Sequence, residues 1–314
     1  MRTRKLGQTG LDVSVLSFGA SSLGSVFRET NEAEAIRTVH AALDSGINYI
    51  DVSPYYGLTK AESVLGKAIK DVSRDKFLLS TKAGRYGTDQ FDFSRKRITD
   101  SVEESFARLN TDYIDVLYLH DIEFVSSDII LEEAIPALQR LKAEGKIRYY
   151  GICGLPIQLF ETLLPQVQVD AIISYCHYSL NDTALLNLLP LLEQQGTGLV
   201  NASPLSMGLL STRGTPDWHL ASAELKATCK QAAQLCASRG FDIAKLAVQY
   251  STSNERIPTT LVSTANPDNI RNNAAWTNEP IDEELLKDVL DILKPVHNRT
   301  WVSGRPEYNE DIRV

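Results

Sequence analysis

Asp51, Tyr56, Lys82 and His120 are residues whose types could do chemistry together. Asp51 and Tyr56 lie five apart in IDVSPYYG, Lys82 falls near the end of FLLSTKA, and His120 ends YIDVLYLH. A phenol ordinarily loses its proton near pH 10, so only about one in a thousand is ionised at pH 7. A lysine beside it favours the phenolate, and a carboxylate can hold that lysine in an otherwise apolar strand, where an unpaired charge is costly. A histidine that donates to a substrate oxygen fixes its orientation, which suits carbonyl or hydroxyl chemistry without a metal. Each residue also has a plainer reading: Asp51 as a cap on the turn before Pro54, Lys82 as a solvated strand end, His120 and Asp121 as a satisfied loop pair. Their joint occurrence at the ends of successive apolar runs favours the chemical reading.

The elements that must position them are short, β-branched apolar runs: residues 13–20, 48–53, 77–83, 113–120, 147–153, 171–176, 198–204 and 259–264. Amphipathic stretches separate them, among them residues 31–46, 94–110, 131–145 and 182–196. Asn31 followed by Glu34 predicts a helix start and Gly46 a helix end, while Pro136 and Pro190 predict a kink or a shifted start. Strands alternating with helices imply a parallel sheet, and about eight such units fit a closed (β/α)8 TIM barrel. GASSLG after the first run lacks the glycine spacing of a dinucleotide fingerprint and the lysine of a phosphate loop, which counts against a doubly wound sheet. RKLGQTGLDVS reads as an N-terminal β-hairpin, residues 205–222 as a long loop after the seventh strand, and residues 276–314 as a C-terminal extension trailing the last helix. No linker divides the chain, so residues 1–314 are expected to form one domain. The eight strand ends of a barrel share one mouth, where the four residues would meet.

The formal net charge of −8 opposes broad binding to nucleic acid or to an anionic membrane. Cys153, Cys176, Cys229 and Cys236 show no metal-ligand spacing and read as free thiols of a reducing compartment, in keeping with a cytoplasmic protein. No run of apolar residues is long enough to span a bilayer.

FGASSLG, IDVSPYYG, LSTKAG, LYLHD, GKIRYYGICG, ASPLSMGLL and LVSTANPDNIRNN follow one another in an order that resembles the aldo-keto reductase superfamily from end to end. The resemblance implies that Tyr56 is the general acid/base, that Lys82 and Asp51 tune it, and that His120 orients the substrate. It places a nicotinamide cofactor against Cys153, Tyr175, Ser203, Leu205, Ser263, Thr264, Asn269 and Asn273. Cys153-Gly154 stand where many members have Ser-Asn, Tyr175 where a Gln is usual, and Ala202 where an aromatic often stacks on the nicotinamide. Ser263 and Asn269 replace the Lys and Arg of NADP-preferring members, which favours NAD; Arg271 is a rival phosphate clamp or a solvated helix residue. GICGLPIQLFETLLPQ, ISYCHYSL and NASPLSMGLL are most similar to members that oxidise the anomeric carbon of L-galactose to a lactone with NAD, on the route to ascorbate. Ser21 and Ser22, at positions often aromatic in aldehyde-reducing members, would then face the sugar together with His120. Alternatives are an NADPH-linked reductase of aldehydes or ketones and a channel-associated binding subunit. The expected partner is a small sugar.

Overall fold

A computed structural model describes residues 1–26 and 28–310. Its strands are β1 (Thr3–Lys5), β2 (Asp12–Ser14), β3 (Leu16–Gly19), β4 (Tyr49–Asp51), β5 (Leu78–Ala83), β6 (Arg85–Gly87), β7 (Gln90–Phe91), β8 (Ile114–His120), β9 (Ile147–Gly154), β10 (Ala171–Tyr175), β11 (Gly198–Ala202) and β12 (Thr259–Ser263). The helices are α1 (Glu32–Asp44), α2 (Lys60–Ile69), α3 (Arg95–Leu109), α4 (Ser127–Ile129), α5 (Ile135–Ala143), α6 (Ile157–Leu163), α7 (Leu189–Gln195), α8 (Ala223–Ser238), α9 (Ile243–Ser253), α10 (Pro267–Trp276) and α11 (Glu283–Leu293). β3, β4, β5, β8, β9, β10, β11 and β12 form a closed parallel barrel in which β12 pairs back onto β3. Each of the eight expected runs supplies one barrel strand.

The first run is divided. Residues 12–14 pair antiparallel with β1 in the expected hairpin, and the barrel strand begins only at Leu16. Val15 is the handover: its N–H donates to Arg2 O and its carbonyl accepts from Thr260 N, each at 3.0 Å. Leu6, Leu11 and Val13 of the hairpin pack with Tyr49, Val116, Tyr118, Cys153, Ile173 and Val200 in one buried cluster. Gly7 and Gly198 let the hairpin approach the start of β11, so it stops the end of the barrel opposite the mouth. A second, larger cluster lies between the strands and the helices around them.

Local signals explain most helix ends. Asn31 Oδ1 accepts from Glu34 N at 3.1 Å to start α1, and Gly46, at φ +82°, follows its end. Pro190 sits in the first turn of α7 after a 3-10 turn over 184–188, a shifted start where a missing N–H costs little. Pro136 lies instead within a continuous helical run from Ser127 to Ala143, just after a π turn over 130–134 that interrupts the regular hydrogen-bond ladder. Residues 276–314 do more than trail: α11 packs Leu285, Val289 and Leu293 against Leu225, Cys229 and Ala232 of α8, and Tyr308 is buried in the main core. The last four residues of that expected extension, 311–314, lie outside the described residues.

Candidate active site

β4, β5 and β8 are neighbours in the barrel, and their carboxyl ends bring Asp51, Lys82 and His120 to one place. Lys82 Nζ donates to Asp51 Oδ2 and, at 2.9 Å, to Val52 O; Ser80 Oγ donates to Asp51 Oδ1 at 2.8 Å. The side chains of Lys82 and Asp51 are 1% and 4% exposed, so neither charge has water to fall back on. Desolvation is the largest single influence and works against the Lys82 charge, but Asp51, Tyr56 and Cys153 together outweigh it and hold the ammonium's pKa above its ordinary value. Desolvation raises the Asp51 pKa, and Lys82 and Ser80 draw it back.

Tyr56 enters from the loop after β4. Its N–H donates to Ser53 O and its carbonyl accepts from Ala61 N of α2, both at 3.1 Å. The turn after β3 interlocks with this loop: a Cβ at Gly24 would lie 2.5 Å from Tyr56 O, and one at Gly57 2.0 Å from Gly24 O. Only glycines permit that approach. The Tyr56 ring stands 4.8 Å from Lys82 Nζ, centroid to nitrogen, and 5.5 Å from the His120 ring at 87°.

The expectation of a depressed phenol is corrected here. Desolvation raises the Tyr56 pKa above its ordinary value; Lys82 is the largest opposing influence, while Asp51, Cys153 and Asp121 add to the rise. In this ligand-free arrangement Tyr56 is a phenol, a proton donor in the direction of carbonyl reduction. Desolvation likewise drives His120 down to about 3, against the pull of Asp121, so its imidazole is neutral. Desolvation also raises the Cys153 pKa well above that of a free thiol, and the side chain is buried.

Several polar contacts of the mouth are not legible in the sequence. Ser53 Oγ is 2.9 Å from His120 Nδ1. Asp121, at φ +52°, places Oδ2 3.6 Å from His120 Nε2 and on the Arg85 guanidinium, which also donates to Tyr55 Oη at 3.2 Å. Glu123, fully buried, receives Leu155 N at 3.2 Å, Ser303 Oγ at 3.0 Å and Tyr175 Oη at 3.4 Å on one oxygen. Desolvation and the neighbouring Asp121 push its carboxyl up to about 8. Gly154 makes room for it, since a Cβ there would lie 2.9 Å from Glu123 Oε2. The doublet Asp121-x-Glu123 beside His120 was the only available sequence signal, and it does not name Arg85 or Ser303 as partners. Folding also brings ligand atoms of His120, Asp121 and Cys153 within 4.8 Å of one another, a grouping that sequence spacing does not reveal. Arg85 and Lys82 set positive charge against a further cation there.

The remaining expected residues divide. Tyr175 turns its hydroxyl to Asp121, at 3.3 Å, and to Glu123. Ser21 Oγ, Ser22 N and Ser22 Oγ all meet Ser263 Oγ, at 2.8, 3.1 and 2.8 Å, so these serines join β3 to β12 at the rim, and the hydrogen bonds described place them on one another and not on His120 or Tyr56. Ser203 lies at φ +57° and Met207 at φ +54°, with the partly buried Leu205 between them. Thr264 Oγ1 accepts from Asn266 N at 3.1 Å and from Asn269 Nδ2 at 3.5 Å. Asn273 is a half-buried residue of α10, and Arg271 is paired with Asp268 at 2.9 Å. The rim 203–207 and 263–273 therefore offers hydroxyl, amide and backbone groups, with its one arginine in an exposed ion pair with Asp268. In the long loop, His219 is buried and bonded at both nitrogens, to Ser206 O and Ala221 N, so it packs the loop, with Trp218 stacked on it.

A closed parallel barrel with these four side chains at its mouth defines a class. The Aldo/keto reductase family model matches residues 15–294, and the chain belongs to that family. It is 49% identical over 310 residues to L-galactose dehydrogenase of Arabidopsis thaliana, covering 96% of this chain and 97% of that one. It is 38% identical over 258 residues to D-arabinose 1-dehydrogenase of Saccharomyces cerevisiae, covering 77% and 76%. The holo form of an aldo-keto reductase from Bacillus halodurans superposes with a TM-score of 0.77 at 28% identity, covering 98% of this chain and 99% of that one. Among the described residues no helix is long and apolar enough to cross a membrane.

Proposed function

We propose that the protein oxidises the anomeric carbon of L-galactose to the galactono-lactone, with NAD as hydride acceptor and Tyr56 as general acid/base. The observation that carries this reading is the convergence of Asp51, Lys82, Tyr56 and His120 in one barrel mouth. The likeness to two sugar 1-dehydrogenases supports the substrate class. Held along the rim 203–207 and 263–273, an oxidised nicotinamide would supply the hydride acceptor. Tyr56, its phenolate favoured by Lys82, takes the proton from the anomeric hydroxyl as the carbon-bound hydrogen leaves with its electron pair. Asp51 keeps Lys82 charged and in place. Neutral His120 donates to the same sugar oxygen and fixes which hydrogen is presented. Arg85, Asp121 and Tyr55, held by one another, keep polar atoms beside it that ring hydroxyls can meet.

Steady-state turnover on a panel of aldoses with NAD and NADP tests the reading. L-galactose with NAD should give lactone and NADH, faster at mildly alkaline pH. The enantiomer can present its reacting carbon only by sending its hydroxyls to other walls, at about 1–3 kcal/mol for each polar group left unpaired. Comparable efficiency on D-galactose would refute the stereochemical argument, and no turnover of any aldose would return the chain to an aldehyde-reductase reading.

A further inference from the structure

His120 can orient a substrate oxygen only if the nitrogen it presents carries hydrogen and the ring cannot turn. Imidazole has two candidate positions for that hydrogen, and the bond made by the other nitrogen selects between them. Here the other nitrogen is Nδ1, 2.9 Å from Ser53 Oγ. Ser53 is fully buried, and its hydroxyl oxygen already accepts Tyr55 N–H at 3.1 Å. Its own hydrogen therefore needs an acceptor, and a buried hydroxyl without one is costly. Among the described residues, His120 Nδ1 is the acceptor that the hydrogen bonds of Ser53 provide. With Ser53 donating, Nδ1 is unprotonated, and the hydrogen of the neutral ring sits on Nε2. Nε2 is also the nitrogen near the Asp121 carboxylate, at 3.6 Å, an environment that favours an N–H over a second lone pair.

We propose that Ser53 is a positioning residue: its hydroxyl, held by Tyr55 N–H, fixes the His120 ring and its Nε2–H form, so that the imidazole meets the substrate as a donor. The proposal rests on the reading of His120 as the group that orients the sugar oxygen. It concerns a side chain of the same IDVSPYYG loop that delivers Tyr56, so one turn sets both the proton carrier and, through one bond, the orienting group. Ser53 touches no reacting atom.

Two measurements test it. Histidine-selective 15N spectra of the cofactor-free protein at neutral pH, with His120 assigned by loss of its signals in His120→Asn, should show a pyridine-type Nδ1 and a pyrrole-type Nε2. A protonated Nδ1 in the wild type would overturn the assignment whatever the enzyme turns over, and no activity is needed to see it. In kinetics, Ser53→Ala should lower kcat by about tenfold to a hundredfold, less than the range for loss of a whole acid/base group, with KM for sugar changed much less. Ser53→Thr, which keeps the hydroxyl, should recover most of the loss. In the 15N spectrum Ser53→Ala should mix the two forms, which a merely structural role would not do. Wild-type kcat in Ser53→Ala, or a Ser53→Thr variant as slow as Ser53→Ala, would overturn the positioning role. If Ser53→Ala does not fold, the wild-type spectrum and the threonine variant still decide. Absence of aldose turnover in the wild type would instead refute the proposed function and leave the spectroscopic result standing.

Discussion

Tyr56 and Lys82 divide one task between them, and their surroundings determine how. Desolvation holds the phenol protonated while Lys82 opposes it, so the side chain is suited to give a proton and needs added positive charge to accept one. Tyr56→Phe should keep the fold and lose at least about a thousandfold in turnover, by deleting the proton carrier; circular dichroism and steady-state rates check both halves. Retention of more than a tenth of the activity would sink the assignment. His120 gives a second prediction. Its folded pKa is lowered to about 3 from an ordinary 6.5, so the unfolded chain binds the extra proton between those values. The bond of His120 to the fold therefore adds stability above pH 6.5 that is lost as pH falls toward 3, and the activity profile should show no limb near 6.5 from this ring. A kinetic pKa near 6.5 that disappears in His120→Asn would contradict the burial of the neutral ring.

At the scale of elements, the loop after β4 depends on backbone contact more than on side chains. Gly24→Ala should push the Tyr56 carbonyl away and cost activity well beyond any loss of stability, whereas alanine at Gly10, with open space around it, meets only its own unfavourable φ. Paired kcat and melting-temperature measurements on the two variants separate displacement of the loop from general destabilisation. The eight strands and the hairpin were legible because period and punctuation are local: β-branched runs, Asn31, Gly46 and paired glycines act within a few residues. The four convergent side chains were legible for the same reason, since Asp51, Lys82 and His120 fall at or near the ends of runs and Tyr56 in the loop that follows the first of these. The Ser21–Ser22–Ser263 junction, the Arg85–Asp121 pair and Ser303 on Glu123 were not, because they join residues far apart in sequence whose polar character alone predicts solvent. The sign of the Tyr56 shift was misread because a cation's effect can be argued from residue types, while desolvation depends on the packed wall.

At the scale of the whole molecule, residues 303–305 are tied to the site. Ser303 Oγ, Arg305 N and the close approach of Gly304 all converge on Glu123, directly behind Asp121 and Tyr175. The folded Glu123 carboxyl titrates near 8 against an ordinary 4.5, so the folded state holds a proton that the unfolded state releases between those values. Its stabilising effect is full below pH 4.5 and is lost as pH rises through 8. Glu123→Gln, permanently neutral, should melt at or above the wild-type temperature by a margin that widens from pH 5 to pH 8.5; a constant margin would mean that the carboxyl is ionised throughout. At the rim after β12, Asp268 pairs with Arg271 at the surface. Asp268→Asn should release that arginine and raise efficiency with NADP relative to NAD, most clearly at low ionic strength. An unchanged ratio would show that the adenosine end lies elsewhere.

The pairing of β12 with β3 also has a consequence in time. The first barrel strand ends at Gly19 and its closing partner at Ser263, so the ring of hydrogen bonds cannot be completed until the late strand has been synthesised. At about 5–20 residues per second, β3 leaves the ribosome some tens of seconds before the edge that it must meet. During that interval the nascent chain carries an open parallel sheet with two unpaired edges, and Glu123 waits longer still for Ser303. The hairpin that stops the barrel floor draws its strands from residues made before β3, and its apolar side chains are available to cover part of the early sheet's interior. A ribosome stalled once residue 263 has cleared the exit tunnel, with Ser303 still inside it, should therefore display a barrel able to close but without its wall behind Asp121, and one stalled before residue 259 has emerged should display a surface that chaperones recognise.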